Sequence, residues 1–199
     1  MKIVIGSSNK HKIAEIAARC ADIRDIVFIP VHEIVEMGEI EENGSTFTGN
    51  ALIKAQAIMK KTGLPSLADD SGLSVDVLGG EPGIYSARYG NLDSDTARNN
   101  LLLANMKGIA DGKRSARFIC AISLVLPDGR EFTAEGRCEG SIGFDPRGDM
   151  GFGYDPIFIL PDGRSMAELS MDEKNRISHR AHALDTLHEC ILKNLMDRR

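Results

Sequence analysis

The sequence predicts an α/β fold, a mixed β-sheet with flanking helices, and three observations carry that reading. A β-branched run, Ile3-Val4-Ile5, leads directly into a segment with helical periodicity. Strand-like and helix-like segments keep alternating at the front of the chain, the pattern of strands joined by crossover helices. The middle then holds two long β-like runs joined by Pro127-Asp128-Gly129, the turn chemistry of a hairpin. A hairpin among crossovers implies a mixed sheet, not a purely doubly wound one.

The elements follow in order. After the first strand, "NKHKIAEIAARC" sets Ile13, Ile16, Ala17 and Cys20 at i, i+3, i+4 and i+7, which predicts one apolar helix face with Asn9 at its N-cap. Ile26 to Pro30 predict a second strand, and Glu36 to Gly44 an acidic loop. The stretch from Thr46 to Gly63 predicts a helix with Phe47, Ala51, Ala55, Ile58 and Met59 on one face. Lys60 and Lys61 suit its negative end, and Gly63 closes it. Leu73 to Leu78 alternate as a strand does. "SDTARNNLLLANMKG" predicts another helix, followed by the hairpin. Ser170 with Glu173 three residues later forms a capping box. Ser178 precedes a last helix with Leu184, Leu187, Ile191 and Leu195 facing inward.

At 199 residues the chain suffices for one sizeable core or two small lobes. No repeat, low-complexity tract or linker divides it, so a single domain over 1–199 is expected. A net charge of −5 speaks against a general nucleic-acid-binding surface but leaves room for a local basic pocket for a small anion. Cys20, Cys120, Cys138 and Cys190 are scattered with no C-x-x-C pair, and read as reduced packing residues rather than a zinc site or disulfide framework. The apolar run at the N-terminus is too short for a signal peptide or membrane span. A cytoplasmic protein with no membrane and no nucleic-acid partner is expected.

Four places offer chemistry. Ser7-Ser8-Asn9-Lys10-His11-Lys12 joins a strand to a helix start, where free N–H groups and the helix dipole bind phosphate and Lys12 adds a full charge; an ordinary capped loop with surface lysines fits the same residues. No Walker pattern, G-x-x-x-x-G-K-[ST], occurs. The acidic loop offers Glu36, Glu39, Glu41 and Glu42, and "ADDSG" offers Asp69 and Asp70 at what looks like a strand tip. Adjacent strand residues point to opposite faces, so only one aspartate serves a given site. One such aspartate with a glutamate from the acidic loop would make a Mg²⁺ site that leaves positions for phosphate oxygens; a solvated charge run is the alternative. "GFGYDPIFIL" brings Phe152 and Tyr154 past glycines, either toward a flat ligand or into the core. "DEKNRISHRAHAL" sets Lys174, His179 and Arg180 around a helix break, and the His179/His182 pair lacks an acidic third ligand.

Taken together and in order, Ser7-Ser8-Asn9-x-x-Lys12, Thr46-Phe47-x-x-Asn50-Ala51-x-x-Lys54-Ala55, "ADDSGLSVDVLGG", "GFGYDPIF" and "SHR" strongly resemble the inosine triphosphate pyrophosphatase family, the noncanonical purine NTP pyrophosphatases. The resemblance covers nearly the whole chain. It implies an elongated mixed sheet with two α/β lobes around a substrate cleft, and a homodimer. It also implies Mg²⁺-dependent hydrolysis of ITP, dITP and XTP to the monophosphate and pyrophosphate, which cleanses the nucleotide pool. Carried over by position, Ser7, Ser8, Asn9, Lys10, His11 and Lys12 would hold the triphosphate. Asp70 would be catalytic and a metal ligand. Glu42 would be the second metal carboxylate, with Glu41 beside it leaving the register open. Lys54 would lie near the phosphates and Ser71 would touch substrate. Phe152, Gly153, Tyr154, Asp155, Lys174, His179 and Arg180 would form the base and sugar pocket, with Arg180 donating to the 6-oxo group that adenine lacks. Asp69 would orient its neighbours. Ser7-Ser8 departs from the commoner Thr-Gly. A relative with the same chemistry on modified pyrimidine or canonical triphosphates, a terminal phosphatase, and a nucleotide sensor without turnover are the rival functions.

Overall fold

The computed structural model describes residues 1–20 and 26–191, with the side chains of Cys190 and Ile191 outside that description. Strand β1 (Lys2–Ile5), helix α1 (Lys10–Arg19), strand β2 (Val27–Pro30), helix α2 (Phe47–Thr62) and strand β3 (Ser66–Val75) form the front. Helix α3 (Asp95–Asn105), strands β4 (Ser115–Val125), β5 (Glu131–Ile142) and β6 (Phe158–Ile159), and helices α4 (Met171–Ile177) and α5 (His179–Ile191) complete the order. The six strands make one sheet in the order β2-β1-β3-β4-β5-β6. Strand β1 pairs in parallel with β2 and β3, and β5 pairs antiparallel with β6. The sheet is therefore mixed and flanked by helices, as the sequence predicts.

Two compact units divide the chain. One holds Met1–Asp70, Cys120–Gly136 and the chain from His179 onward, the other Ser71–Ile119 and Arg137–Ser178. In the first, Ile3 and Ile5 pack with Ile16, Leu67, Ile122, Leu124, Leu184 and Leu187, while Val4 faces the other way against Val31 and Ile58. That split is strand alternation with both faces covered. Asn9 caps α1, its Oδ1 accepting the His11 N–H at 2.9 Å and the Lys12 N–H at 3.3 Å. Thr46 caps α2 by accepting the Gly49 N–H at 3.0 Å. The hairpin turn closes with the Leu126 N–H on the Arg130 carbonyl at 2.9 Å. Helix α5 buries Leu184 and Leu187; Leu195 lies outside the described residues. Its first turn lies tight on β5, where a side chain at Gly136 would place Cβ 2.2 Å from the His179 carbonyl oxygen and 2.3 Å from the Ala183 nitrogen.

In the second unit Leu73, Leu102, Met106, Phe118, Tyr154 and Phe158 share a core. Ser94 caps α3, and the predicted Ser170/Glu173 capping box starts α4. Cys20, Cys120 and Cys138 are buried, and burial pushes the Cys120 thiol up to about 12, so it stays protonated. Among the described residues no helix is long and apolar enough to cross a membrane.

Three local expectations need correction. Ala17 is exposed and Glu15 takes the enclosed place on α1, because the Arg180 guanidinium, also buried, pairs with it. Asp69 and Asp70 sit in the middle of β3, not at a strand tip: hydrogen-bonding and cationic partners on both faces let the strand carry them inside. The strand expected over Leu73–Leu78 stops at Val75, and Asp76–Leu78 turns as a 3-10 helix.

Candidate active site

In the first unit, β3 and α2 set the chemistry. Successive β3 residues face opposite ways, so Asp69 and Asp70 meet different partners. The Asp69 carboxylate accepts from Arg180 Nη2 at 3.1 Å and pairs with Lys12 Nζ at 3.0 Å. The Asp70 carboxylate accepts from Asn50 Nδ2 at 3.0 Å. Asn50 and Lys54 are one helical turn apart on α2 and so share a face. Lys54 Nζ donates to the Asp69 carbonyl at 3.0 Å and pairs with Glu42 at 3.0 Å. Asn50 Oδ1 also accepts the Gly44 N–H at 2.8 Å, which anchors the end of the acidic loop.

The two carboxylates are shifted in opposite directions. Burial pushes Asp69 up, yet Lys12, Arg180 and Lys54 together reverse this and hold it well below the usual carboxylate range. Burial also pushes Asp70 up; Asn50, Lys54 and Lys12 offset part of that, while the nearby charge of Glu42 adds to it. Asp70 is thus a carboxylate whose negative charge is under-compensated. Of the two glutamates left open by the sequence, Glu42 is half-buried and acts on Asp70, while Glu41 is exposed. Among the described residues no group of three or more His, Cys, Asp or Glu side chains gathers around one point. Two carboxylates with room for phosphate and water oxygens are nonetheless the usual protein share of a Mg²⁺ site, so the donor set fits that ion.

Arg180 has partners other than the expected base oxygen. It is 1% exposed, and its guanidinium donates to Glu15 and, through Nε at 3.3 Å and Nη2 at 3.1 Å, to Asp69. Burial would lower its basicity, but the carboxylates of Asp69 and Glu15 hold it above the ordinary value, so it is always charged. Beside it His179 is buried, whereas Lys10, His11 and Ser8 are exposed and Ser7 is half-buried, its Oγ accepting the Asn9 N–H at 3.2 Å.

The second unit begins at Ser71, half-buried directly after Asp70. Here the 151–155 loop is organised by carboxylates. Asp155 Oδ2 accepts the Phe152 N–H at 2.9 Å and Lys174 Nζ at 2.6 Å, and the Lys174 ammonium lies 4.5 Å from the Phe152 ring centroid. Gly151 has φ +85°, and a Cβ there would fall 2.2 Å from an Asp155 carboxylate oxygen, so glycine is required. Tyr154 goes into the core. Burial raises its pKa, and its hydroxyl donates to the Ser86 carbonyl at 2.9 Å. Ser86 Oγ in turn accepts the Leu73 N–H of β3 at 2.9 Å. Phe152 stays half-buried, available at the loop's surface.

A model of the Ham1 family matches residues 3–190. The chain belongs to the Ham1 family. It is 47% identical over 192 residues to the dITP/XTP pyrophosphatase of Bacillus licheniformis, covering 94% of this chain and 95% of that one. It is 46% identical over 190 residues to the dITP/XTP pyrophosphatase of Bacillus subtilis, covering 92% and 93%. Among solved structures, the HAM1 protein from Coxiella burnetii superposes with a TM-score of 0.89 at 43% identity, over 97% of this chain and 99% of that one. The Staphylococcus aureus Ham1 protein gives 0.88 at 39% identity, with the same coverage. The family expected from the motifs is borne out.

Within this Ham1 chain, the structure brings Lys12, Glu42, Lys54 and Asp70 into one electrostatic group, and Phe152, Asp155 and Lys174 into another. The sequence reading gave no role to Glu15, Asn50, Ser86, Asp95 or Asn99. A signal existed for two of them: Asn50 interrupts an apolar helix face four residues before Lys54, and Glu15 lies three residues after Lys12 on α1.

Proposed function

We propose that this protein hydrolyses nucleoside triphosphates of deaminated purines (ITP, dITP and XTP) to the monophosphate and pyrophosphate, with Mg²⁺ as cofactor, in the cytoplasm. The observation that carries the reading is the under-compensated Asp70 beside Glu42, flanked by Lys12 and Lys54, in a Ham1 chain whose relatives are dITP/XTP pyrophosphatases. A triphosphate carries about four negative charges near neutrality, so cations must gather before a nucleophile can approach. Lys12 and Lys54 supply two, and the Ser7–Lys12 turn adds the positive end of the α1 dipole. Glu42 and Asp70 would hold Mg²⁺, which when bound would neutralise phosphate charge and polarise the phosphorus. Asp70 orients water and takes its proton as water attacks the α-phosphorus; the bond to the bridging oxygen breaks, and pyrophosphate leaves with that oxygen. Asp69 fixes Lys12 through its carboxylate and Lys54 through its carbonyl, and Arg180 acts by holding Asp69 and Glu15.

On the second unit, Ser71, Phe152, Gly153, Asp155 and Lys174 would serve the base and sugar, with Phe152 stacking and Tyr154, buried in the core, supporting the loop. The reading includes a homodimer: exposed Val77 and exposed Tyr85, the latter under the Arg88 guanidinium at 5.0 Å, are apolar surface that a second copy would cover. The test is a discontinuous assay with ITP, XTP, GTP and ATP, with and without Mg²⁺, resolving pyrophosphate from orthophosphate. Pyrophosphate from ITP and XTP, little from ATP and GTP, and none without metal is the expected result. Orthophosphate release, or equal use of all four nucleotides, defeats the assignment.

A further inference from the structure

Helix α3 presents two polar side chains, Asp95 and Asn99, one turn apart on one face, and both address a single residue of the 151–155 loop. Asp95 Oδ2 accepts the Gly153 N–H at 2.7 Å, and Asn99 Nδ2 donates to the Gly153 carbonyl at 3.1 Å. Gly153 has φ +64° and no side chain, so only its main chain can be held, and α3 holds both polar ends of it. Arg98 secures the arrangement: it pairs with the other Asp95 oxygen and donates to the Leu92 carbonyl at 2.6 Å, which keeps Oδ2 turned to the loop. Asn99 is 5% exposed, and its Oδ1 has no hydrogen-bond partner among the described residues. A residue kept for packing alone would not bury an unmatched acceptor; the donating end is the part in use.

We propose that Asp95 and Asn99 are positioning residues for base recognition: by gripping the Gly153 peptide at both ends they fix where the neighbouring Phe152 ring stands. This rests on the reading above that the loop serves the base. Phe152 is itself tied at its N–H to Asp155, and its ring faces the Lys174 ammonium, so the α3 grip completes a restraint from two sides. Losing it lets the ring drift while the phosphate-handling residues, which are elsewhere in the chain, keep their partners.

The test uses Asn99→Ala, Asp95→Ala and Asp95→Asn in the full chain, with two readouts. Amide hydrogen exchange at Gly153 reports the grip. Steady-state kinetics with ITP and with ribose 5-triphosphate, the same triphosphate without a base, report its use. The alanine variants are expected to exchange faster at Gly153 and to lose about 10²-fold in kcat/KM for ITP, mostly through KM. Ribose 5-triphosphate turnover should stay at the wild-type level, and Asp95→Asn, which keeps an oxygen for the Gly153 N–H, should recover most of the loss. If an alanine variant fails to fold, Asn99→Asp, which keeps the size and removes the donor, decides on the same readouts. Equal losses on both substrates, or faster exchange with unchanged ITP kinetics, overturn the proposal. A wild type that releases no pyrophosphate from ITP sinks the pyrophosphatase reading and this proposal with it; a normal wild type with indifferent variants sinks this proposal alone.

Discussion

On one face of β3, Asp69 is paired directly with cations; on the other, Asp70 accepts from an amide and meets a second carboxylate, with Lys54 and Lys12 acting on it through their charge. Asp69 is 1% exposed and Asp70 8%, so burial alone does not separate them. Their partners do. Lys12, Arg180 and Lys54 outweigh burial at Asp69, whereas at Asp70 the Asn50 hydrogen bond and the charges of Lys54 and Lys12 offset burial only in part, and Glu42 adds repulsion. A strand one residue wide thus carries a carboxylate that holds the fold together beside one kept in an unfavourable state. Such unrelieved charge is where chemistry is done, because substrate and cation can supply what the fold withholds.

The largest way to sharpen the comparison is Asp70→Asn. Turnover of ITP should fall by about 10²–10⁴-fold, the usual contribution of a general base. The melting temperature should hold or rise, because the amide removes a charge the fold disfavours. Near-normal turnover would remove Asp70 from the mechanism. Next in size is Asp69→Asn, which leaves Arg180 and Lys12 short of a buried counter-charge. Removing one partner of a buried ion pair costs about 3–5 kcal/mol. Glu15 still holds Arg180, so the low end is expected, read as a drop of about 10 °C in melting temperature. An unchanged melting temperature would mean that Asp69 is no structural carboxylate.

The smallest effect is in pH. Asp69 has a depressed folded pKa, so its ionised form contributes stability above the ordinary value of 3.8, and this contribution is lost as pH falls below it. The raised pKa of Asp70 works the other way: its charge costs stability above the folded value, and the cost vanishes as pH falls below 3.8. The stability gap between wild type and Asp70→Asn should therefore close by about pH 4, whereas the gap for Asp69→Asn should survive there and narrow only in stronger acid. Denaturant midpoints at pH 7, 5, 4 and 3 check this; gaps that close together would erase the distinction between the faces.

What the sequence reveals here follows from distance along the chain. The caps at Asn9 and Thr46, the Ser170/Glu173 box and the apolar stripes of α1 and α2 depend on residues within about two turns, and they are legible. The placement of Glu15 is not, because its partner Arg180 is 165 residues away. Nor is the reach of β3: a strand covered on both faces shows no alternation to read, and its aspartates are tolerated only through partners from other elements. The site divides in the same way. Motif residues such as Lys12, Glu42 and Asp70 could be picked out by charge and order. Asp95 and Asn99 serve the main chain of Gly153, 58 and 54 residues on, and no local pattern marks a side chain whose target is a distant peptide.

Gly136 has a consequence for how this chain tolerates change. The atoms that a Cβ would strike, the His179 oxygen and the Ala183 nitrogen, belong to the α5 backbone and cannot step aside as a side chain would. In a saturation scan, position 136 therefore has a flat profile: alanine, serine and tryptophan differ in size and polarity, yet the first carbon of each already displaces the helix that carries Arg180. The site's charge network is thus guarded by a residue that has no chemistry of its own.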